Sequence, residues 1–343
     1  MPATIEQLKG IAFLAFEDQV ELLFSELKTR FNFTQKPTAR YGDLIYFENK
    51  VDFLKCSNGK YPYWACTVME NPFLVHFDSI GNAALSLKDI QRNWAPYQFT
   101  CFRRAQLIQE KLPYINLKER KFPVEIPNSP MGLYTLIDEH TMIASAQTTS
   151  FIPAGRIRFI EDHENPPSRA YLKIQESLTI AHSFLGADLP NENSKCFEAG
   201  ACPGGWTWVL VGLGSFVHAV DRAELAPELM KNHLVKFQAH DAFTLKPSDI
   251  GPVDWVFSDV ICYPERLLKW INEWLESGMT KNMICTIKMQ GEIDWQLIKE
   301  FEAMGNKSIF FICNQFDLLD EEEEQEEIRE RAQDMLLPHT DLG

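Results

Sequence analysis

A glycine- and proline-rich segment directly after an apolar stretch constrains the fold of this chain more than any other feature. Residues 197–206 read FEAGACPGGW, and a helix-compatible apolar run continues to residue 213. Glycines in such a position let the backbone approach a ligand where a side chain would not fit. The pattern therefore predicts the first strand, the tight loop and the first helix of a nucleotide-binding α/β fold.

The second half of the chain alternates strand-like and helix-like segments. A proline-rich joint at 165–169 precedes a predicted helix at about 170–185. Strands are predicted near 195–199, 215–220, 234–240, 255–258, 283–287 and 307–313, and helices at 206–213, 223–231, 263–276 and 294–304. Such alternation is typical of the mostly parallel sheet of a Rossmann-like domain.

The first half of the chain lacks this alternation. Strands are predicted at 10–16, 39–47, 63–69 and 72–76, helices at 19–31 and 102–112, and a hairpin over 132–146. We therefore expect a smaller α+β domain over 1–155, followed by the Rossmann-like α/β domain over 156–316 and an acidic tail over 317–343.

The net charge of −15 at first argues against a nucleic-acid partner, but the charge is unevenly distributed. Residues 317–334 hold ten acidic side chains against two arginines, a composition more typical of a solvated tail than of a site. Residues 1–150 carry 16 basic and 16 acidic side chains. RNA binding needs only a local basic face. Candidates are Arg103-Arg104, 118–121 and 156–158, although an ordinary solvated surface explains each of them alone.

The eight cysteines are scattered, with no CxxC pair and no cysteine–histidine cluster at metal-binding spacing. This distribution favours reduced thiols in a cytoplasmic protein, and it predicts neither a metal site nor a disulfide framework. No apolar run of about 18 residues is present, so no membrane span is expected. A single lysine ahead of a short apolar run within residues 1–16 argues against a secretory signal.

Four acidic residues lie at or near the ends of predicted strands, where an open α/β sheet binds its ligands. They are Glu198, Asp221, Asp241 and Asp259. Asp221 follows the glycine loop by about 20 residues, a spacing at which a carboxylate can accept hydrogen bonds from both hydroxyls of a nucleoside ribose. Asp241 is placed to reach an adenine amino group. Each of the four, taken alone, is as consistent with a role in a turn or helix cap as with ligand binding.

The ligand expected at these residues is S-adenosylmethionine. The loop matches neither GxGxxG nor GxxxxGK followed by Ser or Thr, so a nucleoside without a pyrophosphate suits it better. The predicted cofactor-binding residues are Glu198, Gly200, Cys202, Pro203, Gly204, Gly205, Trp206, Asp221, Asp241 and Asp259.

Two lysines complete the set of residues to which we assign chemistry. Lys288 ends an apolar strand-like segment, and Lys173 lies on the helix before the first strand of the sheet. A lysine in either place alone often only extends its ammonium group to solvent. Five segments carry a family resemblance: PSRAYLK at 167–173, GACPGGWTW at 200–208, AVD at 219–221, SDV at 258–260 and IKM at 287–289. They resemble the FtsJ-type ribose 2′-O-methyltransferases, and the resemblance covers about residues 160–315.

That resemblance implies an S-adenosylmethionine-dependent methyltransferase acting on a ribose 2′-hydroxyl of large-subunit rRNA. The acceptor is RNA rather than DNA, because only RNA carries this hydroxyl. The family has a Lys-Asp-Lys-Glu tetrad at the target ribose, and Lys173, Asp259 and Lys288 match its first three members. By the same resemblance, Lys288 deprotonates or orients the hydroxyl, and the other two set its electrostatics and position. No residue is assigned to the glutamate, since 321–324 precede a charged, helix-like segment rather than a strand.

In related enzymes the preceding region is an RNA-binding module with ferredoxin-like and THUMP-type parts, and the resemblance implies this role for 1–155 by position. Two alternatives stay open. A degenerate methyltransferase fold could serve as an RNA- or partner-binding module, since the glutamate is unassigned. A methyltransferase for an mRNA cap or a protein is less favoured, because residues 258–261 read SDVI where an amino-group methyltransferase has an Asn-Pro-Pro-Tyr type motif.

Overall fold

Three β-sheets organise the described part of the protein, two in the first half of the chain and one in the second. The computed structural model describes residues 3–289 and 293–304, together with the backbone of 309–312. In the first half the strands are β1 (Thr4–Gln7), β2 (Ile11–Ala15), β3 (Ala39–Tyr41), β4 (Leu44–Phe47), β5 (Ala65–Met69), β6 (Phe73–His76), β7 (Trp94–Pro96), β8 (Gly132–Leu136) and β9 (Thr141–Ser145). The helices are α1 (Val20–Thr29), α2 (Lys50–Ser57), α3 (Ile80–Ile90) and α4 (Phe102–Lys111).

The two sheets of the first half have the strand orders β1-β6-β9-β8-β7 and β3-β4-β2-β5. Strand β2 is buried on both faces, which explains why its sequence is continuously apolar. Phe13 on one face packs with Leu23 of α1, and Leu14 on the other face packs with Leu133 of β8. The alternating side chains of one strand thus contribute to two separate cores.

The sheet of the second half is parallel throughout its described strands. Its strands are β10 (Lys195–Ala199), β11 (Phe216–Asp221), β12 (Val235–Ala239), β13 (Val253–Ser258), β14 (Thr280–Thr286) and β15 (Ile309–Ile312), in the order β12-β11-β10-β13-β14-β15. The helices are α5 (Tyr171–Leu185), α6 (Gly205–Gly212), α7 (Pro227–Met230), α8 (Pro247–Ile250), α9 (Pro264–Ser277) and α10 (Trp295–Ala303). The order is that of a doubly wound sheet and reverses between β10 and β13, where such folds bind ligands at the carboxyl ends of the strands.

Helices cover both faces of the parallel sheet. Tyr171 and Leu178 of α5 pack on one face, and Trp274 of α9 and Phe301 of α10 pack on the other. All four side chains are buried, and each buried side chain of this size contributes about 1.5–3 kcal/mol of apolar transfer free energy. The packing fixes α5, and with it Lys173, relative to the strand ends.

The α/β fold with a mostly parallel sheet is confirmed, and every strand and helix predicted for the second half is present. The helix predicted at 223–231 is limited to the four residues of α7, because Pro227 can start a helix but cannot continue one. The strand predicted at 39–47 is divided by a turn at Gly42, whose φ is +64°. The division of the chain at residue 155 stays a prediction, and the acidic tail lies outside the described residues.

Helices α2 and α3 are additions to the predicted fold. Each begins at a polar N-cap, Asn49 or Ser79, whose side chain accepts a backbone hydrogen bond. Among the described residues, no helix has the length and apolar character that crossing a membrane requires.

A buried arginine joins the first half of the chain to α10. Arg30, which follows α1, donates from Nη1 to Oε1 of Glu26 at 2.6 Å and from Nη2 to Oε1 of Glu302 at 2.7 Å. Its guanidinium lies over the rings of Tyr63 and Trp295, at 4.2 and 5.4 Å from their centroids. We call these five residues the arginine junction. Because Trp295 begins α10, the junction anchors the helix that follows Lys288 in the chain.

Candidate active site

The glycine loop connects β10 to α6 at the point where the strand order reverses. Gly200 has a φ of +77°, which side chains rarely adopt, and a Cβ there would lie 2.0 Å from Cγ2 of Val260. Gly205 opens α6, and a Cβ there would lie 2.5 Å from Oγ of Ser168. The glycines therefore let the loop pack closely against the segment after β13 and the segment before α5.

Asp221, at the end of β11, holds the glycine loop in place. Its Oδ2 accepts a hydrogen bond from the backbone N–H of Cys202 at 3.0 Å, and its Oδ1 accepts one from Ala223 at 3.1 Å. The backbone oxygen of Pro203 accepts from the N–H of Ala226 at 3.0 Å. Each carboxylate oxygen of Asp221 retains further accepting capacity, so the group can also accept hydrogen bonds from a ligand.

Glu198 lies beneath the loop, inside the sheet. It is 2% exposed, and its Oε2 accepts from the hydroxyl of Thr207 at 2.6 Å. Burial raises the pKa of its carboxyl to about 8, although hydrogen bonds from Thr207 oppose this rise. Glu198 is therefore mostly protonated at neutral pH, and it braces the first turn of α6.

Trp206 ties the same helix to α5. Its indole Nε1 donates to the backbone oxygen of Ala170 at 2.9 Å. The ring of Trp208 packs against Tyr171 edge-on, with centroids 5.6 Å apart. Both aromatic residues of the GGWTW segment therefore hold the first turn of α5, which carries Lys173, beside the loop.

Asp241 follows β12 and lies between two arginines. Its carboxylate accepts from Nη2 of Arg222 at 2.7 Å and from Nη2 of Arg266 at 3.3 Å, and also from the backbone N–H of Phe243. Burial alone would raise its pKa, but these hydrogen bonds outweigh burial and hold the pKa of Asp241 below its ordinary value. The group is therefore a permanent acceptor at neutral pH.

Lys173, Asp259 and Lys288 meet at the carboxyl edge of the sheet. Nζ of Lys173 lies 3.8 Å from Oδ2 of Asp259, and Nζ of Lys288 lies 3.5 Å from Oδ1 of the same carboxylate. The three side chains are only 10%, 14% and 14% exposed, in the order Lys173, Lys288, Asp259. Asp259 follows β13 and Lys288 follows β14, and these two strands are neighbours. One carboxylate thus bridges two largely buried ammonium groups.

Oδ1 of Asp259 has no hydrogen-bond partner among the described residues, although it faces the ammonium group of Lys288. A separation of 3.5 Å or more is long for a charge-assisted hydrogen bond, which is normally about 2.7–2.9 Å. The arrangement therefore leaves accepting capacity beside two cations, which suits a polar group of a ligand.

Two residues near this cluster were not singled out from the sequence. The buried hydroxyl of Ser168 has no hydrogen-bond partner among the described residues, and it lies under Gly205. Its only sequence signal is its place in the same short motif as Lys173. Glu176 lies one helical turn after Lys173, and burial raises the pKa of its carboxyl to about 7. A single acidic residue in an apolar helix provides no pattern by which to find it.

The glycine loop, Asp221 and Asp241 lie at the carboxyl ends of β10, β11 and β12, the edge at which open α/β sheets bind their ligands. Within 3–289 and 293–304, no group of three or more histidine, cysteine, aspartate or glutamate side chains is arranged to hold a metal ion. The fourth member of the tetrad stays unassigned, because residues 321–324 lie outside the described part of the chain.

Comparison with known proteins shows what the same region is similar to. Residues 166–335 match the family described as FtsJ-like methyltransferase. The ribosomal RNA large subunit methyltransferase M of Aggregatibacter aphrophilus is 35% identical over 135 residues, which are 39% of this chain and 36% of that protein. The protein of the same name from Haemophilus influenzae strain PittGG is 33% identical over 164 residues, 48% of this chain and 42% of that protein. The one from Photobacterium profundum is 34% identical over 170 residues, 48% of this chain and 44% of that protein. The chain thus spans less than half the length of these relatives.

Proposed function

We propose that this protein is an S-adenosylmethionine-dependent RNA methyltransferase that modifies a ribose 2′-hydroxyl of large-subunit rRNA, since residues 166–335 match the FtsJ-like methyltransferase family. One observation carries the proposal: Lys173, Asp259 and Lys288 converge beside the glycine loop, at the carboxyl edge of the parallel sheet. The names of the matched relatives support large-subunit ribosomal RNA as the substrate class.

The residues at the carboxyl edge of the parallel sheet fit S-adenosylmethionine. Gly200 adopts a left-handed conformation in which a side chain would collide with Val260, so the loop packs closely against the segment that carries Asp259. Asp221 would accept hydrogen bonds from the ribose hydroxyls, and the charged carboxylate of Asp241 would accept one from the adenine amino group. When bound, S-adenosylmethionine supplies an electrophilic methyl group on a sulfonium.

The two lysines and the aspartate act on the RNA. A ribose hydroxyl is a poor nucleophile, so its proton must leave as the new O–C bond forms. Lys288, in its neutral form, orients the 2′-oxygen and takes this proton on Nζ. Lys173 shares the carboxylate of Asp259 with Lys288, so this carboxylate holds both lysine side chains at one place. All three side chains are at most 14% exposed, which keeps bulk water away from the reacting hydroxyl.

Alignment contributes as well as proton transfer. The first turn of α5, the loop after β13 and the loop after β14 each deliver one of the three side chains, so their geometry is set by packed elements. Holding the 2′-oxygen in one place removes most of the entropy cost of bringing the reactants together. A methyl acceptor that lacks this hydroxyl would lose both contributions.

Transfer of labelled methyl groups from S-adenosylmethionine to deproteinised cellular RNA tests the proposal. Lys288→Ala is expected to lower the transfer rate by about 10²–10⁴-fold, the usual range for a general base. The affinity of the Lys288→Ala variant for S-adenosylmethionine is expected to stay unchanged, since Asp221 and Asp241 are intact. Lys281→Ala is the matched control, because Lys281 lies on β14, the strand that Lys288 follows, but is 76% exposed and pairs with Asp254.

Full activity of Lys288→Ala would remove the proposed role of this lysine. If the wild-type protein binds S-adenosylmethionine but transfers no methyl group to any cellular RNA, the result favours an RNA- or partner-binding module on a methyltransferase fold.

A further inference from the structure

A cavity of about 550 Å³ lies away from the candidate active site, where the sheets of the first half meet the segment around residues 152–158. Its lining combines aromatic rings with basic side chains. The members used below are Tyr97, Phe99, Phe102, Lys118, Arg120 and Arg158. We call this cavity the aromatic–basic pocket. The candidate methyl-transfer chemistry uses none of these residues.

The aromatic side of the pocket is ordered and partly open. The rings of Tyr97 and Phe99 are nearly parallel, with an interplanar angle of 16° and centroids 6.4 Å apart. The hydroxyl of Tyr97 accepts from the backbone N–H of Asp43 at 2.7 Å, which fixes the ring. Phe102 begins α4 and is 59% exposed. An exposed ring at the rim of a cavity offers a flat face on which a nucleobase can stack.

The basic side chains come from two of the three basic clusters in the sequence. The backbone N–H of Arg120 donates to the oxygen of Arg158 at 2.8 Å, and Ile160 donates back to Arg120 at 2.9 Å. This short pairing brings residues 118–120 beside 156–158. The pocket lining holds four basic residues and two acidic ones. One basic residue, Arg156, is paired with Glu17 at 3.1 Å, whereas Lys118 and Arg158 are exposed.

The sign of this lining is opposite to that of the whole chain, whose net charge is −15. A polyanion is attracted to a local surface where basic side chains outnumber acidic ones. Exposed Lys118 and Arg158 provide donors for a phosphate, and the rings provide the apolar surface that a base requires. Rings and cations together are typical of single-stranded nucleic-acid sites.

The pocket is also connected to the helix that carries Lys173. The backbone N–H of Ile126, which lines the pocket, donates to Oγ of Ser183 near the end of α5 at 3.0 Å. At the other end of α5, the backbone N–H of Asp162 donates to the hydroxyl of Tyr171 at 2.7 Å. Asp162 follows Arg158 by four residues, so the chain between them spans at most about 14 Å. A short segment therefore joins the pocket to the end of α5 that carries Lys173.

We propose that the aromatic–basic pocket binds one unpaired nucleotide of the RNA substrate, with its base against Phe99 and Phe102 and its phosphate at Lys118 and Arg158. The identity of the polymer rests on the proposed function, and the location of the contact rests on the pocket. A paired nucleotide has its faces covered by its neighbours in the helix, whereas an unpaired one can present a face to an aromatic ring. The pocket gives an acidic protein a place to hold RNA.

Fluorescence anisotropy with a labelled single-stranded RNA dodecamer of mixed sequence tests this. Phe102→Ala is expected to weaken binding about tenfold, within the range for loss of one base–aromatic stack. Lys118→Ala is expected to weaken binding and to lower the slope of log K against log salt by about 0.7, the value for one phosphate contact on a single strand. Phe102→Ala should leave that slope unchanged, since no charge is removed.

The matched controls are Phe216→Ala and Lys88→Ala. Phe216 is 39% exposed at the amino end of β11, and Lys88 is exposed on α3. Both variants should bind the dodecamer as the wild type does. All four side chains are exposed, so circular dichroism melting curves should coincide and exclude a folding defect.

Unchanged affinity of both Phe102→Ala and Lys118→Ala would overturn the proposal. Equal affinity for the same sequence in a duplex would overturn the claim that the bound nucleotide is unpaired. Binding of AMP as tightly as the dodecamer would overturn the claim that the pocket binds a polymer. Since the assay involves no methyl transfer, the two proposals fail separately. If the protein transfers methyl groups but the pocket variants bind RNA as the wild type does, only the pocket proposal is wrong. If the pocket variants weaken RNA binding but no methyl group is transferred, only the proposed activity is wrong.

Discussion

Replacing Arg30 by methionine tests whether the arginine junction stabilises the contact between the first half of the chain and α10. The Arg30 side chain is 7% exposed, and it pairs with Glu26 and with Glu302. Methionine retains an apolar stem of similar width but removes the charge and every donor. The loss of the charge leaves two carboxylates without their shared partner.

The expected loss of unfolding free energy is about 3 kcal/mol. Removal of one partner from a buried ion pair costs about 3–5 kcal/mol, since the other charge stays buried. The lower end applies here, because Glu26 keeps hydrogen bonds from the backbone N–H groups of Tyr63 and Trp64, both at 3.0 Å. Lys60→Met is the control. Lys60 pairs with Glu302 but is 56% exposed, so its loss should cost less than about 1 kcal/mol.

The penalty should also depend on pH. Burial raises the pKa of Glu26, and the hydrogen bond from Arg30 opposes this rise. Without Arg30 the folded-state pKa rises further, so the folded variant holds a proton that the unfolded chain releases as the pH increases. Urea unfolding followed by circular dichroism should therefore give a larger loss at pH 8 than at pH 5. A loss below about 1 kcal/mol, or an equal loss at both pH values, would show that Arg30 does not neutralise buried carboxylates in the arginine junction.

Three other predictions concern substitutions in the candidate site, and the first includes Gly212→Ala as a control. Gly200→Ala should lower stability by about 1–3 kcal/mol and weaken cofactor binding, since alanine is strained at a φ of +77° and meets Val260; Gly212→Ala, with no atom within 4 Å, should raise stability by up to about 1 kcal/mol. Melting temperatures that move together would contradict this contrast. Glu198→Gln should gain stability relative to the wild type between pH 5 and pH 8, because the folded carboxyl, with a pKa of about 8, keeps a proton that the unfolded chain loses above its ordinary pKa of 4.5. A pH-independent difference in thermal melting would show that burial is not the cause. Asp221→Ala should weaken S-adenosylmethionine binding in calorimetry, because it removes the acceptor for the ribose and the anchor of the Cys202 N–H; unchanged affinity would remove the assigned ribose contact.

Part of the site follows from the sequence because parallel strands end at one edge of a sheet. Asp259 and Lys288 could be placed together from their positions after two predicted strands. Lys173 is different, since its place depends on how α5 packs against the sheet and on the hydrogen bond from Trp206. Only the resemblance of its motif connected it with the other two.

Contacts between distant segments explain what the sequence did not predict. Arg30 and Glu302 are separated by 272 positions, so no local periodicity indicates that they meet. The same holds for Arg120 and Arg158, which pair through their backbones. The sequence predicted basic clusters, but it could not show that two of them line one cavity with Phe102.

The position of the transferred methyl group is the most direct test of the central claim that Lys173, Asp259 and Lys288 act on a ribose hydroxyl. RNA labelled by the wild-type protein would be hydrolysed in alkali, which needs a free 2′-hydroxyl to cleave the chain. A 2′-O-methyl group blocks this cleavage, so the label should appear in alkali-resistant dinucleotides, and Lys288→Ala should lower the rate of its appearance by about 10²–10⁴-fold. Label recovered in mononucleotides would show methylation of a base and would contradict the account.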